Sequence, residues 1–120
     1  MRLNNNQIEK EAIKYLKTKF KDVKSSKTKN FDVYINRNRY ELKASTRNLN
    51  QINFRYLRES TYNEIMKSRF FHLILVYNVG KKNIGHKIIS NTKLRKMINP
   101  IPEKIYVLKL KAKVRVNGVV

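Results

Sequence analysis

Residues 31–45 constrain the fold more than any other stretch, because they read as two strands joined by a turn. Both flanks, Phe-Asp-Val-Tyr-Ile and Tyr-Glu-Leu-Lys-Ala-Ser, alternate and are rich in β-branched and aromatic residues. The Asn-Arg-Asn-Arg between them is polar turn material. We therefore predict an antiparallel hairpin closed over residues 36–39.

The predicted hairpin brings charged side chains together. With this closure Lys43 lies opposite Asp32, and Glu41 lies opposite Tyr34. Opposed residues share a face of a sheet, so we expect Asp32, Glu41 and Lys43 on one side of the hairpin. The other side is expected to carry four apolar residues, Val33, Ile35, Leu42 and Ala44.

Two carboxylates and an ammonium group in one patch are compatible with either a salt-bridged surface or a metal site. Spacing alone does not decide, because Asp22 and Lys24 show the same acid-x-Lys spacing. The settings differ. Asp22 lies in a lysine-rich connection, whereas Glu41 lies in mid-strand behind a second strand that carries Asp32.

A third carboxylate, Glu9, lies on a predicted amphipathic helix over residues 7–20 and borders its apolar stripe. It is either a boundary glutamate that pairs with Lys or Arg, or a member of the same site. The stripe is formed by Ile8, Ala12, Ile13, Leu16 and Phe20.

Together, Glu9, Asp32 and the sequence Glu41-Leu42-Lys43 resemble the active site of the PD-(D/E)XK nuclease superfamily, which has the restriction-endonuclease-like fold. In size and layout the chain is most similar to the small archaeal-type Holliday junction resolvases, with restriction-type nucleases close behind. The resemblance covers roughly residues 5–90. Phe31 stands where the family name puts proline.

The resemblance implies a metal-dependent DNA endonuclease with a catalytic set of Glu9, Asp32, Glu41 and Lys43. Asp32 and Glu41 are expected to bind Mg²⁺, which Mn²⁺ can replace, together with the backbone carbonyl of Leu42, and with Glu9 directly or through water. Lys43 is expected to orient the attacking water or stabilise the transition state. Cleavage is expected to leave a 5′-phosphate, and the partners implied are branched or duplex DNA and a second copy of the chain in a homodimer.

The charge favours a nucleic-acid partner, because 28 Lys and Arg face 8 Asp and Glu, a net charge of +20. Ribosomal-type binding and an anionic membrane surface remain the alternatives, although no long basic amphipathic helix with a bulky apolar face is predicted. Charge distinguishes neither DNA from RNA nor a binder from an enzyme. The cations expected to contact nucleic acid are Lys24, Lys27, Lys29, Arg47 and Arg55.

Composition bounds the remaining possibilities. With 120 residues we expect one domain over residues 1–120, and the lack of cysteine fits a cytoplasmic protein. We find no membrane span or signal peptide, so no membrane partner is expected. The abundance of Asn and Lys suggests AT-rich coding, and a viral or mobile-element origin is a hypothesis only.

The order of predicted elements indicates an α/β fold, a restriction-endonuclease-like core with a mixed sheet of four or five strands flanked by helices. After the hairpin we predict a loop over 46–53, an extended piece over 54–57, a helix capped by Ser60 or Thr61, a buried strand over 70–79, a strand over 86–90, a short helix over 92–98 and a strand over 104–117. Residues 21–30 are predicted to be a polar connection.

Other chemistries fit less well. His72 and His86 lie in strand-like segments without ligand partners, which makes a zinc site improbable, and three glycines exclude a phosphate-binding glycine loop. The alternatives to a resolvase-like enzyme are a non-catalytic basic nucleic-acid-binding protein, or a nuclease of the same fold that acts on duplex DNA, single strands or RNA.

Overall fold

The computed structural model describes residues 3–25, 32–52, 56–99 and 105–108, with the side chains of residues 32, 56–60, 98–99 and 105–108 outside the description. The described helices and strands are α1 (Asn5–Lys19), β1 (Val23–Ser25), β2 (Asp32–Ile35), β3 (Asn38–Ala44), β4 (Tyr56–Arg58), α2 (Glu59–Lys67), β5 (Phe71–Tyr77), β6 (Gly85–Ile89), α3 (Asn91–Met97), β7 (Ile98–Asn99) and β8 (Ile105–Leu108), with a 3₁₀ turn at Leu49–Gln51.

The main sheet has five strands in the order β1-β2-β3-β5-β6. Every neighbouring pair is antiparallel except β3 and β5, which are parallel. A parallel pair needs a long crossover, and the segment that contains the 3₁₀ turn, β4 and α2 supplies it. The prediction of an α/β fold with a mixed sheet flanked by helices is confirmed.

Apolar residues cover both faces of the sheet, because alternate residues of β5 point to opposite sides. On one face α1 packs through Ala12, Ile13 and Leu16 against a cluster that includes Ile74 and Val76. On the other face α2 and α3 pack against a second cluster, formed by Leu49, Ile52, Ile65, Phe71, Leu73, Leu75, Ile89, Leu94 and Met97. Within this sheet β5 carries no Asp, Glu, Lys or Arg, and the acids lie on β2 and β3.

Helix α1 begins two residues before the predicted start because Asn4 caps it. The Asn4 side chain accepts the Gln7 backbone N–H, and the Gln7 side chain accepts the Asn4 backbone N–H, at 2.9 Å each. This reciprocal pair satisfies two backbone donors that the first turn otherwise leaves unpaired. Of the described helices, none is both long and apolar enough to cross a membrane.

The hairpin forms as predicted, but its register differs. Strands β2 and β3 are joined by a two-residue turn at Asn36 and Arg37, whose φ values of 51° and 74° are left-handed. Such turns match the right-handed twist of the strands they join. The expected pairing of Asp32 with Lys43 is wrong, since Asp32 lies opposite Glu41. A shift of two residues leaves every side chain on its predicted face.

The predicted polar connection over residues 21–30 is also corrected, because β1 lies within it and pairs with β2 at the edge of the sheet. Buried Val23 explains the strand, since it joins the α1 cluster. Residues 26–30 lie outside the described part of the chain.

The predicted strand over 104–117 is described only as β8. It lies in a second, three-stranded sheet of order β4-β8-β7. Residues 109–117 of that prediction, and residues 54–55 of the extended piece before β4, lie outside the description.

Buried Asn91 links α2, α3 and β5. Its side-chain nitrogen donates to the carbonyl oxygens of Ile65, Ser68 and Phe71, at 2.9 Å each. Its side-chain oxygen accepts from Nε of Arg95 at 2.7 Å. Carbonyl groups at the end of α2 thus find donors although they are removed from water.

We expect Asn91→Ala to lower the free energy of unfolding by about 2–3 kcal/mol, because buried carbonyls lose their donor. Urea unfolding followed by circular dichroism measures the change. Asn63→Ala is the matched control, since Asn63 is exposed on α2, and it should change stability by no more than about 0.5 kcal/mol. Equal effects of the two substitutions would show that the Asn91 bonds contribute little.

Candidate active site

The site is built on β3, the central strand of the sheet. Glu41 and Lys43 are two residues apart and therefore on the same face. Lys43 Nζ lies 3.8 Å from Glu41 Oε1, which makes an ion pair. The Glu41 side chain is only 11% exposed, whereas that of Lys43 is 45% exposed. The Glu41 side chain is thus largely buried on the sheet, whereas the Lys43 side chain is partly exposed to solvent.

Asp32 is the β2 residue directly opposite Glu41. Opposed residues share a face, and their Cα atoms lie about 4.5–5.5 Å apart in antiparallel pairs. The side chain of Asp32 lies outside the described residues. The register nevertheless fixes the backbone of a second carboxylate beside Glu41, and like charges in this relation destabilise a sheet unless a cation lies between them.

Glu9 lies on α1 and is partly buried. Burial raises the pKa of its carboxyl, and the positive charge of Lys43 partly offsets that rise. The structure therefore brings Glu9 within electrostatic range of Lys43, although α1 covers the opposite face of the sheet. The described pairing of β2 with β3 ends at Asp32 and Glu41, so Lys43 lies beyond the last described pair.

The donors present are those that Mg²⁺ prefers, because carboxylate and carbonyl oxygens are its usual protein ligands. The backbone of Leu42 lies between Glu41 and Lys43, while its side chain is buried in the cluster on the other face. Among the side chains that the structure describes, no three His, Cys, Asp or Glu residues are grouped for a metal ion. The predicted set depends on Asp32, which is outside that description.

The predicted nucleic-acid contacts are described in part. Lys24 is exposed on β1, and Arg47 is exposed in the segment that follows β3. Lys27, Lys29 and Arg55 lie outside the described residues.

Arg47 borders a cleft of about 590 Å³ at the end of β3. Lys81 and Thr46 also line it, with Glu11 as the one acid among the lining residues. Two backbone hydrogen bonds of 2.9 Å hold together the segments that line the cleft. They run from Asn78 N–H to the Arg47 carbonyl and from Val79 N–H to the Ser45 carbonyl.

Both histidines make internal contacts. His72 Nδ1 accepts the Asn91 backbone N–H at 2.9 Å, and burial lowers the pKa of His72. His86 Nδ1 lies 2.8 Å from the Tyr15 hydroxyl, and burial, followed by the charge of Lys19, lowers its pKa. Both rings serve packing on the sheet.

No protein-family model, curated protein or solved structure matches the chain. The chemistry of the site is therefore inferred from its own residues.

Sequence reasoning missed two residues near the site. Lys81, in the cleft, follows β5 in a turn whose return toward β3 is fixed only by tertiary contacts. Tyr34 is 39% exposed on the same face as Glu41. Its alternation with buried Val33 and Ile35 is the signal that could have identified it.

We expect Lys43→Gln to raise the pKa of Glu9 further, because the charge that opposes the effect of burial is removed. Carboxyl-carbon NMR titration of Glu9 measures this directly. Lys93→Gln, which removes an exposed lysine on α3, is the control and should leave the Glu9 titration in place. A Glu9 pKa that is the same in both variants would contradict the proximity.

The raised pKa of Glu9 also makes the stability of the fold depend on pH. Since the folded-state pKa of Glu9 lies above its ordinary value of 4.5, its contribution favours folding below that pH. The contribution is lost as the pH rises through the folded-state pKa. Glu9→Gln should therefore flatten this part of the stability profile.

Proposed function

We propose that the protein is a Mg²⁺-dependent nuclease that hydrolyses phosphodiester bonds at the face formed by β2 and β3. The observation that carries the proposal is the position of Glu41, a largely buried carboxylate opposite Asp32 and 3.8 Å from the Lys43 ammonium. The chain has only eight Asp and Glu residues, and its net charge is +20. Opposed carboxylates on a surface that attracts polyanions are explained by a divalent cation between acid and phosphate.

Asp32 and Glu41 would hold the metal ion, with the Leu42 carbonyl and Glu9 as further oxygen donors. When bound, Mg²⁺ supplies positive charge to the phosphate and lowers the pKa of a nearby water. Glu41 is suited to a fixed ligand because its neighbours in the sheet restrict its movement.

Lys43 has the geometry for a group that meets the substrate. Its ammonium is anchored by Glu41 while the side chain as a whole is 45% exposed, so it can approach the scissile phosphate from solvent. There it stabilises the charge that develops on the phosphoryl oxygens or orients the attacking water. In the reaction the water oxygen bonds to phosphorus and the bond to the 3′-oxygen breaks. The leaving oxygen takes up a proton, and the products carry a 5′-phosphate and a 3′-hydroxyl.

Exposed cations on the edge strand and past the end of β3 are suited to holding the nucleic-acid backbone. Lys24 lies on the edge strand, and Arg47 with Lys81 borders the cleft past the end of β3. Contacts of this kind bind phosphates without reading sequence. The substrate proposed is DNA, with branched DNA first because of the resemblance to junction resolvases.

We expect Glu41→Gln and Lys43→Ala to reduce cleavage by at least about a hundredfold, since each removes a group that acts in the transition state. The assay uses end-labelled four-way junction, linear duplex, single-stranded DNA and RNA with Mg²⁺ or EDTA. Binding of the same substrates in EDTA should change little.

Asp22→Asn is the matched control, because Asp22 precedes Lys24 with the same spacing as Glu41 and Lys43 but is exposed and comes before β1, outside the β2–β3 hairpin. It should cut at the wild-type rate. Tight binding without cleavage in Mg²⁺ or Mn²⁺ would instead favour the non-catalytic binding protein.

Metal binding has a separate readout. Mg²⁺ at about one hundred times its dissociation constant should raise the free energy of unfolding by about 2.7 kcal/mol, and Asp32→Asn should abolish that rise. Equal stabilisation of both proteins would place the metal elsewhere.

We also propose a homodimer, because a chain with one such site must pair to cut both strands of a duplex or two arms of a junction. Sedimentation equilibrium at micromolar protein should give a mass near twice 14.4 kDa. A monomer both with and without DNA would exclude paired cutting by a stable dimer.

A further inference from the structure

Three large hydrophobic side chains are exposed among the described residues, namely Tyr34, Met66 and Phe70. Met66 lies on α2 and Phe70 in the turn before β5. Tyr34 alone of the three lies on the sheet face that carries Glu41 and Lys43. Neither α2 nor α3 covers it, and 39% of its surface is exposed.

Tyr34 stands between two cations in a row across three strands. Its partner on β1 is Lys24, and its partner on β3 is Arg39. Directly opposed residues share a face with Cβ atoms about 4.5–5.5 Å apart, so the three side chains are neighbours. The row places an aromatic ring beside positive charge on an open surface.

Arg39, opposite Tyr34 on β3, is held by contacts with Glu64 and Phe71. Its Nη1 lies 2.9 Å from Glu64 Oε2, and its guanidinium lies 4.6 Å from the centre of the Phe71 ring. Glu64 offsets much of its charge. Lys24, exposed on the edge strand, is therefore the cation of the row that is better placed to meet a phosphate.

The row lies next to the carboxylates. Tyr34 is two residues from Asp32 along β2 and is diagonal to Glu41 across the ladder. Diagonal neighbours are about 7–8 Å apart, which is within reach of an aromatic side chain. A ligand group on the Tyr34 ring would consequently lie beside the phosphate that the carboxylates and Lys43 act on.

We propose that Tyr34 is a stacking position for an unpaired nucleotide base, with Lys24 holding the adjoining phosphate. This proposal rests on the function proposed above and specifies its substrate class. Aromatic side chains bind bases by stacking, and cations beside them track the backbone. A base inside a continuous duplex is already stacked on its neighbours, so the site acts where a nucleotide is unpaired, in a single strand or at a branch.

Tyr34→Ala should weaken binding of a fluorescein-labelled 15-nucleotide oligothymidylate about tenfold, with much less effect on a blunt duplex of equal length. Tyr34→Phe should retain the affinity because it keeps the ring. Phe70→Ala is the matched control, since Phe70 is 68% exposed but lies off this face. All measurements are made by fluorescence anisotropy in EDTA, so they are independent of cleavage.

The chain contains no tryptophan, so Tyr34→Trp gives a fluorescent reporter at this one position. Oligothymidylate and oligouridylate distinguish DNA from RNA as the source of the base. Quenching of the indole emission of the Tyr34→Trp variant by either single strand, and not by blunt duplex, is the expected result.

Three results would overturn the proposal. One is unchanged single-strand affinity in Tyr34→Ala, and another is an equal loss for single strand and duplex. The third is an indole emission that shifts with protein concentration alone, which would assign the surface to a second copy of the chain. If single strands stack on Tyr34 but the protein cuts no substrate in Mg²⁺, the stacking contact stands and the proposed nuclease function is wrong.

Discussion

The parallel pairing of β3 with β5 is the contact on which the other parts of the structure depend. It aligns six residues of each strand, from Arg39 with Phe71 to Ala44 with Val76. Bonds from Ser45 N–H to the Val76 carbonyl and from Asn78 N–H to the Arg47 carbonyl extend it past the strand ends. Because β5 is buried on both faces, it fixes β3 in the middle of the sheet and gives Glu41 a rigid support.

This arrangement also explains why Tyr34 and Lys24, on the charged face, are exposed. The crossover from β3 to β5 places α2 over β5, and α3 packs beside it. Strands β1 and β2 extend the sheet on the other side of β3. Among the described side chains of these two strands on this face, Tyr34 and Lys24 are exposed. The topology, rather than any single side chain, separates the packed half of this face from the half that can meet a ligand.

The alternation of residues 31–45 and the apolar run over 70–79 were sufficient to predict the mixed sheet, since the two-residue error in register left each side chain on its predicted face. The register of the hairpin could not be predicted from the sequence. Asn-Arg-Asn-Arg suits a two-residue or a four-residue turn, and neither Asn36 nor Arg37 is the glycine that typically marks left-handed turns. Strand β1 was missed because three residues with one buried valine carry no local pattern, and only pairing with β2 makes them a strand.

The candidate site divides in the same way. That Glu41 and Lys43 share a face follows from strand geometry alone, so sequence could predict it. The approach of Glu9 to Lys43 does not follow from the pattern of α1, which left Glu9 either a boundary residue or a member of the site, because it depends on how α1 lies across the sheet. The same holds for the cleft beside Arg47, which two loops form from distant parts of the chain.

Net charge and local charge have different roles on this face. A charge of +20 draws a polyanion from a distance, but salt screens that attraction beyond about 8–10 Å. Within that range the opposed Asp32 and Glu41 repel phosphate, whereas Lys24 and Lys43 attract it. In the function proposed above, a divalent cation bound by the carboxylates changes the local charge there from negative to positive, and it does so at the carboxylates only. Nucleic acid can thus be held by the row at Tyr34 without metal, while chemistry a few ångströms away requires it.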